Sequence, residues 1–371
     1  MAIKSEAPKS SRSGPAERLG RLRLSFSGIG ADAILVSHLP NIRYLSGFTG
    51  SAGLLLVDAV SATLYTDSRY TFQTREEVSA ARVQICKHGL IRAIAAALRA
   101  RKGRLRVAYS ASTMTVAQKR ALDAAVGSRV RWVEDQSVVE KLRAIKDAGE
   151  LATIREASEM ISAVFTRSLG DIRPGTAELA VAARIENEIK RRGGSGPSFD
   201  TIVAAGERSA WAHAHPTSRP VGKNELVVLD QGAILRGYCS DMTRTVFVGK
   251  ASAKVRSLYT AVLEAQAAGK QAIQPGVTAG EVDRAARNTL KRAKLDRYFT
   301  HSLGHGLGLE VHEMPRLGKG EKTVLQEGMV LTVEPGVYVE GLGGIRIEDD
   351  VVVTKQGAVD LTTATRDFLE L

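Results

Sequence analysis

The sequence predicts an α/β domain followed by an α+β domain, on three observations. Short apolar runs alternate with helical patterns from Ala31 to Asp135. A long stretch of helical periodicity follows, and beyond residue 200 apolar strands recur that end at a carboxylate. Strands alternating with helices imply a three-layer α/β arrangement, whereas helices mixed with antiparallel-looking strands imply α+β. A chain of 371 residues is long enough for two such domains.

Residues 1–15 read as a disordered tail leading into a first helix. Met1 to Arg23 is rich in Ser, Arg, Lys and Pro and has no apolar core or cleavage site of secretory type. Glu6 and Glu17 oppose a mitochondrial presequence. The α/β domain then spans 16–140. Its strands are Ala33–Val36, Gly53–Val57, Ala62–Thr66, Arg82–Cys86, Leu105–Ala108 and Val130–Val133, with helices at Ile91–Arg101 and Val116–Ala125. Ser46 to Gly53, SGFTGSAG, lacks a phosphate-loop lysine and reads as a tight turn before a strand.

The second domain, 141–371, opens on one long helix. Leu142, Ile145, Leu151, Ile154, Met160, Ile161 and Val164 recur at its spacing. Another helix follows Pro174–Gly175 and stops at Gly193–Gly194, and Thr278 to Glu281 forms a capping box opening a third. Strands are expected at Thr201–Ala204, Leu226–Leu229, Thr243–Val248, Val330–Val333 and Ile345–Val353.

Composition excludes several classes. The hydrophobic fraction of 44% is ordinary, and no apolar run approaches the roughly 18 residues of a membrane span. Cys86 and Cys239 fall in different domains outside any CxxC pair, so free thiols in a reducing, cytoplasmic setting are expected. The net charge of +12 raises nucleic acid as a partner. Its basic stretches, Arg92 to Arg106 and Arg284 to Arg297, are helical and lack interleaved aromatics, which argues for solvated helix faces instead.

Four segments carry chemistry. Leu226 to Gly232 is a buried strand ending at Asp230, and the chain returns through Asp241 into Thr243–Val246. A hairpin would bring the two aspartates together, and two ionised carboxylates buried side by side demand a cation. His301 to Gly308 sets His305 among glycines, and five of the seven histidines lie between His213 and His312. His215 and His301 read as structural histidines, and His312 as a neighbour of the metals. The third segment ends a strand at Glu334, where Pro335 and Gly336 stop it. In the fourth, Arg346, Glu348 and Asp350 alternate onto one face. Arg346 could orient a ligand carboxylate or grip a substrate carboxylate. Four acids and an imidazole suffice for two divalent ions sharing bridging oxygens.

These motifs, LDQGA, GYCSDMTRTVFVG, HSLGHGLGLEVHE, TVEPG and GIRIEDDV, resemble those of the pita-bread metallopeptidases, and within them the Xaa-Pro aminopeptidase and prolidase (Xaa-Pro dipeptidase) group. NIRYLSGFTGSAG with TDSRY resembles the creatinase-like N-terminal domain of that group. The resemblance implies an α/β creatinase-like domain ahead of an α+β pita-bread catalytic domain. It implies that Asp230 chelates one metal, Asp241 and Glu348 bridge both, and His305 and Glu334 complete the second. His213 and His312 would contact substrate near the reacting bond, and Glu334 would also shuttle a proton. Gln231 stands where phenylalanine is common and Ala212 where proline is frequent, which touches pocket shape and no ligand.

The implied reaction is hydrolysis of the bond between an N-terminal residue and proline, in a proline-containing peptide. Oxygen-rich ligation with one imidazole suits Mn²⁺, with Co²⁺, Zn²⁺ or Fe²⁺ as substitutes. A homodimer is the family's habit. The rival readings are a catalytically inactive binding protein on the same scaffold and a creatinase-like amidinohydrolase. The first would lose ligands and the second works without metal, so five intact positions oppose both. A methionine aminopeptidase would not need the large N-terminal domain.

Overall fold

The computed structural model describes residues 14–135 and 137–371. The expected tail lies almost wholly outside these residues, and Pro15 already starts a helix. Two compact units meet at Arg143/Ala144, just beyond the expected division at 140.

The first unit begins with α1 (Pro15–Leu24) and α2 (Phe26–Ile29). There follow β1 (Ala33–Val36), α3 (Leu39–Ser46), β2 (Leu54–Asp58), β3 (Ala62–Thr66), α4 (Gln73–Glu77), β4 (Arg82–Ile85), α5 (Leu90–Arg99), β5 (Leu105–Ser110), α6 (Val116–Val126) and β6 (Val130–Asp135). The strands order as β4-β3-β2-β1-β5-β6. The central pairings β1–β2 and β2–β3 are antiparallel and the outer ones parallel. The turn between β2 and β3 is too short for the crossover that parallel strands require. Ala33, Leu35, Leu54 and Leu56 pack on Ile94 of α5 and Leu122 of α6. Alternate residues Ile34, Leu55 and Leu64 are buried as well, so both faces of the sheet are covered, as a three-layer domain requires. Cys86 is a buried thiol in this unit, and Cys239 is a buried thiol in the other.

The expected continuous helix from Leu142 to Val164 is two helices. α7 (Val138–Ala144) ends before Ile145, which bridges to Met329, and the Lys146 amide donates to the Gly328 carbonyl at 2.9 Å. Asp147 then caps α8 (Ala148–Ser168) in a reciprocal box with Glu150. Periodicity runs through the break because it registers spacing and ignores the strand contact that interrupts the ladder.

The second unit continues with α9 (Glu178–Arg191), β7 (Gly196–Pro197), β8 (Ile202–Ala205), β9 (Glu225–Gln231), β10 (Ala233–Leu235), β11 (Tyr238–Cys239), β12 (Met242–Val248), α10 (Ala253–Ala272) and α11 (Ala279–Arg292). It closes with β13 (Gly304–Gly306), β14 (Glu313–Leu317), β15 (Val330–Val333), β16 (Gly336–Val339), β17 (Gly343–Arg346), β18 (Asp349–Thr354) and β19 (Gly357–Asp360). Two antiparallel sheets matter for the site, β12-β9-β8 and β14-β13-β15-β18-β19. Helices α8 and α9 cover the first through Phe165, Val181 and Ile185 against Val203, Val227 and Val246. Helices α10 and α11 cover the second through Val262 and Val282 against Leu331, Val333 and Val351. With helices on one face, the other face of each sheet is left to carry polar side chains.

The expected single strand Ile345–Val353 is also divided. β17 pairs with β16, and after Ile347–Glu348 the chain joins β15 as β18. Glu348 therefore sits at a crossing between sheets. Among the described residues, no helix is long and apolar enough to cross a membrane.

Candidate metal centre

Strand ends deliver the acidic residues. In the β9–β12 hairpin Asp230 lies directly opposite Thr243, and Asp241 immediately precedes β12. The hairpin thus brings together two carboxylates eleven residues apart in sequence. Glu334 follows the last residue of β15, its amide donating to the Leu303 carbonyl at 2.8 Å. The Glu348 amide donates to the Thr243 carbonyl at 3.1 Å, tying the crossing to the hairpin.

His305 is central in β13, between glycines that admit neighbouring backbone. A Cβ at Gly304 would stand 2.0 Å from the Thr332 carbonyl oxygen, and one at Gly306 would stand 2.1 Å from that of Met314. The glycines thus admit the backbone packed around His305.

All five predicted ligands line one cavity of about 240 Å³, together with His213, His312 and Arg346. Donor atoms of Asp241, His305 and Glu348 lie within 4.8 Å of one another. The His305 Nε2 is 3.6 Å from carboxylate oxygens of both Asp241 and Glu334. These separations exceed a hydrogen bond. They match ligand atoms that share an ion, which at bond lengths of roughly 2.0–2.2 Å stand roughly 3 to 4 Å apart.

Burial, with the nearby acids, raises the carboxyls of Asp241 and Glu348 well above their ordinary range. Burial brings Glu334 up to about 8, against the pull of Arg346. The His305 imidazole goes the other way, to about 4, because desolvation disfavours its cation. Its Nδ1–H donates to the Gly306 carbonyl at 2.9 Å, which leaves the Nε2 lone pair facing the acids.

Does this donor set fit divalent metal? Oδ1 of Asp230 and Oδ1 of Asp241 are buried without a hydrogen-bond partner among the described residues. Crowded acids, orphaned oxygens and a neutral imidazole aimed at them together form a cage whose missing charge is positive. The residues fit.

The surrounding residues divide in two. Arg346 is 3% exposed, and four of its five N–H groups are engaged within the protein. Nε donates to Thr243 Oγ1 at 3.0 Å, Nη1 to the Ala212 carbonyl at 3.0 Å and the Tyr338 hydroxyl at 2.8 Å, and Nη2 to Asp230 Oδ2 at 2.5 Å. One of these bonds ties Arg346 to Asp230. His301 is enclosed as expected, with Nδ1 2.8 Å from the Ser302 carbonyl and Nε2 2.9 Å from the Tyr338 hydroxyl. His213 and His312 are exposed at the cavity, and the His312 ring stands edge-on to His305 with centroids 4.4 Å apart. His215 departs from expectation: it is exposed and lines the cavity rather than lying buried as a structural histidine.

Sequence reasoning missed Thr243, Tyr338 and Thr332. Thr243 Oγ1 donates to Glu348 Oε2 at 2.6 Å while accepting from Arg346. Thr332 Oγ1 accepts the His305 amide at 3.1 Å. Strand alternation offered the signal for Thr243, since it stands two positions from Asp241 in DMTRT.

Fold and site together define a metal-dependent hydrolase. The Metallopeptidase family M24 model matches residues 152–355, and the Creatinase/Prolidase N-terminal domain model matches residues 18–145. The chain belongs to metallopeptidase family M24, with a creatinase/prolidase N-terminal domain preceding the catalytic one. It is 37% identical to a Xaa-Pro dipeptidase of Pyrococcus horikoshii over 91% of this chain and 94% of that protein. The solved Xaa-Pro dipeptidase from Bacillus anthracis superposes with a TM-score of 0.93 at 36% identity, covering 96% of this chain and all of that one. The X-Pro aminopeptidase of Thermotoga maritima gives a TM-score of 0.86 at 36% identity, covering 94% of this chain and 100% of its own.

Proposed function

We propose that the protein hydrolyses the peptide bond between an N-terminal residue and proline, using two divalent metal ions, as an Xaa-Pro dipeptidase. The observation that carries the reading is the convergence of Asp230, Asp241, His305, Glu334 and Glu348 on one small cavity flanked by exposed imidazoles. Relatives named Xaa-Pro dipeptidase or prolidase, similar over nearly the whole chain, support the substrate class.

In this reading Asp230 would help hold one ion, His305 and Glu334 the other, and Asp241 and Glu348 would serve both. Such ions, when bound, would supply Lewis acidity and a water whose pKa falls to about 7. Arg346 and Thr243 keep Asp230 and Glu348 at fixed angles. His213 and His312, open to the cavity, donate hydrogen bonds to the oxygen that gains charge when water adds to the scissile carbonyl. Glu334 takes the proton that water releases and returns it to the proline nitrogen as the C–N bond breaks. Proline's nitrogen carries no hydrogen in the substrate, so selectivity comes from a pocket shaped for the ring.

Mn²⁺ is the ion we assign, on an oxygen-rich donor set with one imidazole. The homodimer implied by the family resemblance completes the proposal and is checked by sedimentation velocity. With four of its N–H groups engaged within the protein, Arg346 has one left to offer a dipeptide's terminal carboxylate. Turnover of Xaa-Pro dipeptides against Xaa-Pro-Xaa tripeptides, with Mn²⁺ added to metal-stripped protein, tests the reading. Dipeptides are the expected substrates, and exclusive cleavage of tripeptides would make the protein an aminopeptidase. No cleavage and no bound metal would favour the binding-protein alternative.

A further inference from the structure

Behind the cavity lies a second buried charge cluster. Arg244 follows Thr243 in β12 and points to the opposite face, where it is 1% exposed. All five of its N–H donors are engaged. Nε donates to the Thr365 carbonyl at 2.7 Å, and Nη2 to Asp349 Oδ1 at 2.8 Å and the Ala364 carbonyl at 2.9 Å. Nη1 spans the carbonyls of Thr243 at 2.9 Å and Glu348 at 2.5 Å.

That last bridge joins the same two residues whose side chains meet through Thr243 Oγ1 and Glu348 Oε2. Glu348 belongs to no strand, since β17 ends at Arg346 and β18 begins at Asp349. Its place is set by three hydrogen bonds: its amide to Thr243, its carboxylate from Thr243, and its carbonyl from Arg244. Charge neutralisation does not require Arg244. Lys270 and Arg366 both reach the other oxygen of Asp349, and Gln266 donates to it at 2.9 Å. What Arg244 alone contributes is a planar fork able to hold several carbonyls at once.

We propose that Arg244 is a positioning residue of the metal centre: by clamping the carbonyls of Thr243 and Glu348 it fixes the depth at which the Glu348 carboxylate meets Asp241 and His305. The inference rests on reading Glu348 as a metal ligand. A lysine at 244 would keep the charge beside Asp349 and lose the two-point clamp.

Metal-stripped wild type, Arg244→Lys, Asp349→Asn and Glu348→Gln are titrated with Mn²⁺ alone by calorimetry, and kcat and KM are measured separately. Arg244→Lys is expected to weaken Mn²⁺ binding about 10- to 100-fold and to lower kcat, with KM moving by less than about threefold. Asp349→Asn, which loosens one of the fork's anchors, should shift both in the same direction by less. A folded Arg244→Lys protein binding Mn²⁺ within about twofold of wild type overturns the inference. If that variant does not fold, wild-type Mn²⁺ affinity in Asp349→Asn overturns it. Wild-type affinity in Glu348→Gln would instead remove the ligand reading itself, and the inference with it.

Discussion

Arg346 Nη2 lies 2.5 Å from Oδ2 of Asp230, while Oδ1 of the same carboxylate has no partner among the described residues. One oxygen is held and the other is presented to the cavity. Arg346→Lys should therefore leave Asp230 in place but free to turn. We expect kcat/KM and Mn²⁺ affinity to fall together by roughly 10- to 100-fold. Calorimetry beside steady-state kinetics checks this; a change in KM alone would point to a substrate-gripping role.

Metal should act as a stabiliser of the second unit. At a hundredfold excess over its Kd a bound ion adds about 2.7 kcal/mol, or roughly 5 to 10 °C in Tm for a domain of this size. Chelation should reverse the gain in differential scanning. Asp241→Ala should abolish both turnover and metal occupancy with the fold still formed. Asp241→Asn should melt higher than metal-free wild type, because it removes one of the mutually repelling buried acids. Undiminished activity in the alanine variant would refute the role given to Asp241.

Space around His305 is set by Gly304, where a Cβ would meet the Thr332 carbonyl at 2.0 Å. Gly304→Ala must push β13 away from β15, at a cost of roughly 1–3 kcal/mol, and it carries His305 along. Activity should drop more than stability. Gly170→Ala, where a Cβ meets nothing within 4 Å, is the control and should change stability by less than about 0.5 kcal/mol. Equal urea midpoints for the two variants would contradict the packing argument.

Acid stability of the first unit should depend on Asp58. Burial works to raise its carboxyl, but the Ser61 hydroxyl, the amides of Val60 and Ser61 and the Arg101 guanidinium outweigh it and bring the group to about 2. The folded value is depressed, so the stabilisation is complete above the unfolded value near 3.8 and drains away as pH falls towards 2. Allowing for partial exposure, it amounts to roughly 1–2 kcal/mol. Asp58→Asn should flatten the fall of the urea midpoint between pH 5 and about 2. An unchanged slope would show that other carboxylates dominate acid unfolding.

Local sequence announced much of this molecule. The strands Ala33–Val36, Ala62–Thr66 and Val330–Val333 have the expected ends, because apolar runs bounded by turn residues fix them locally. Five candidate ligands were legible for a similar reason: the four acids stand at or beside strand ends and His305 lies in a short glycine-flanked strand, in apolar sequence where a solvated carboxylate or imidazole has little purpose. Tertiary contacts decided the rest. They broke the helical pattern at Ile145, where Met329 supplies a strand partner, and divided Ile345–Val353 where the chain changes sheets. They also turned Arg346 inward to Asp230 and set Arg244 behind Glu348. Periodicity and propensity act over a few residues and fix which side chains share a face. Which distant donor satisfies a buried carboxylate or carbonyl depends on closure of the chain, and only the assembled second unit brings such groups within hydrogen-bond reach.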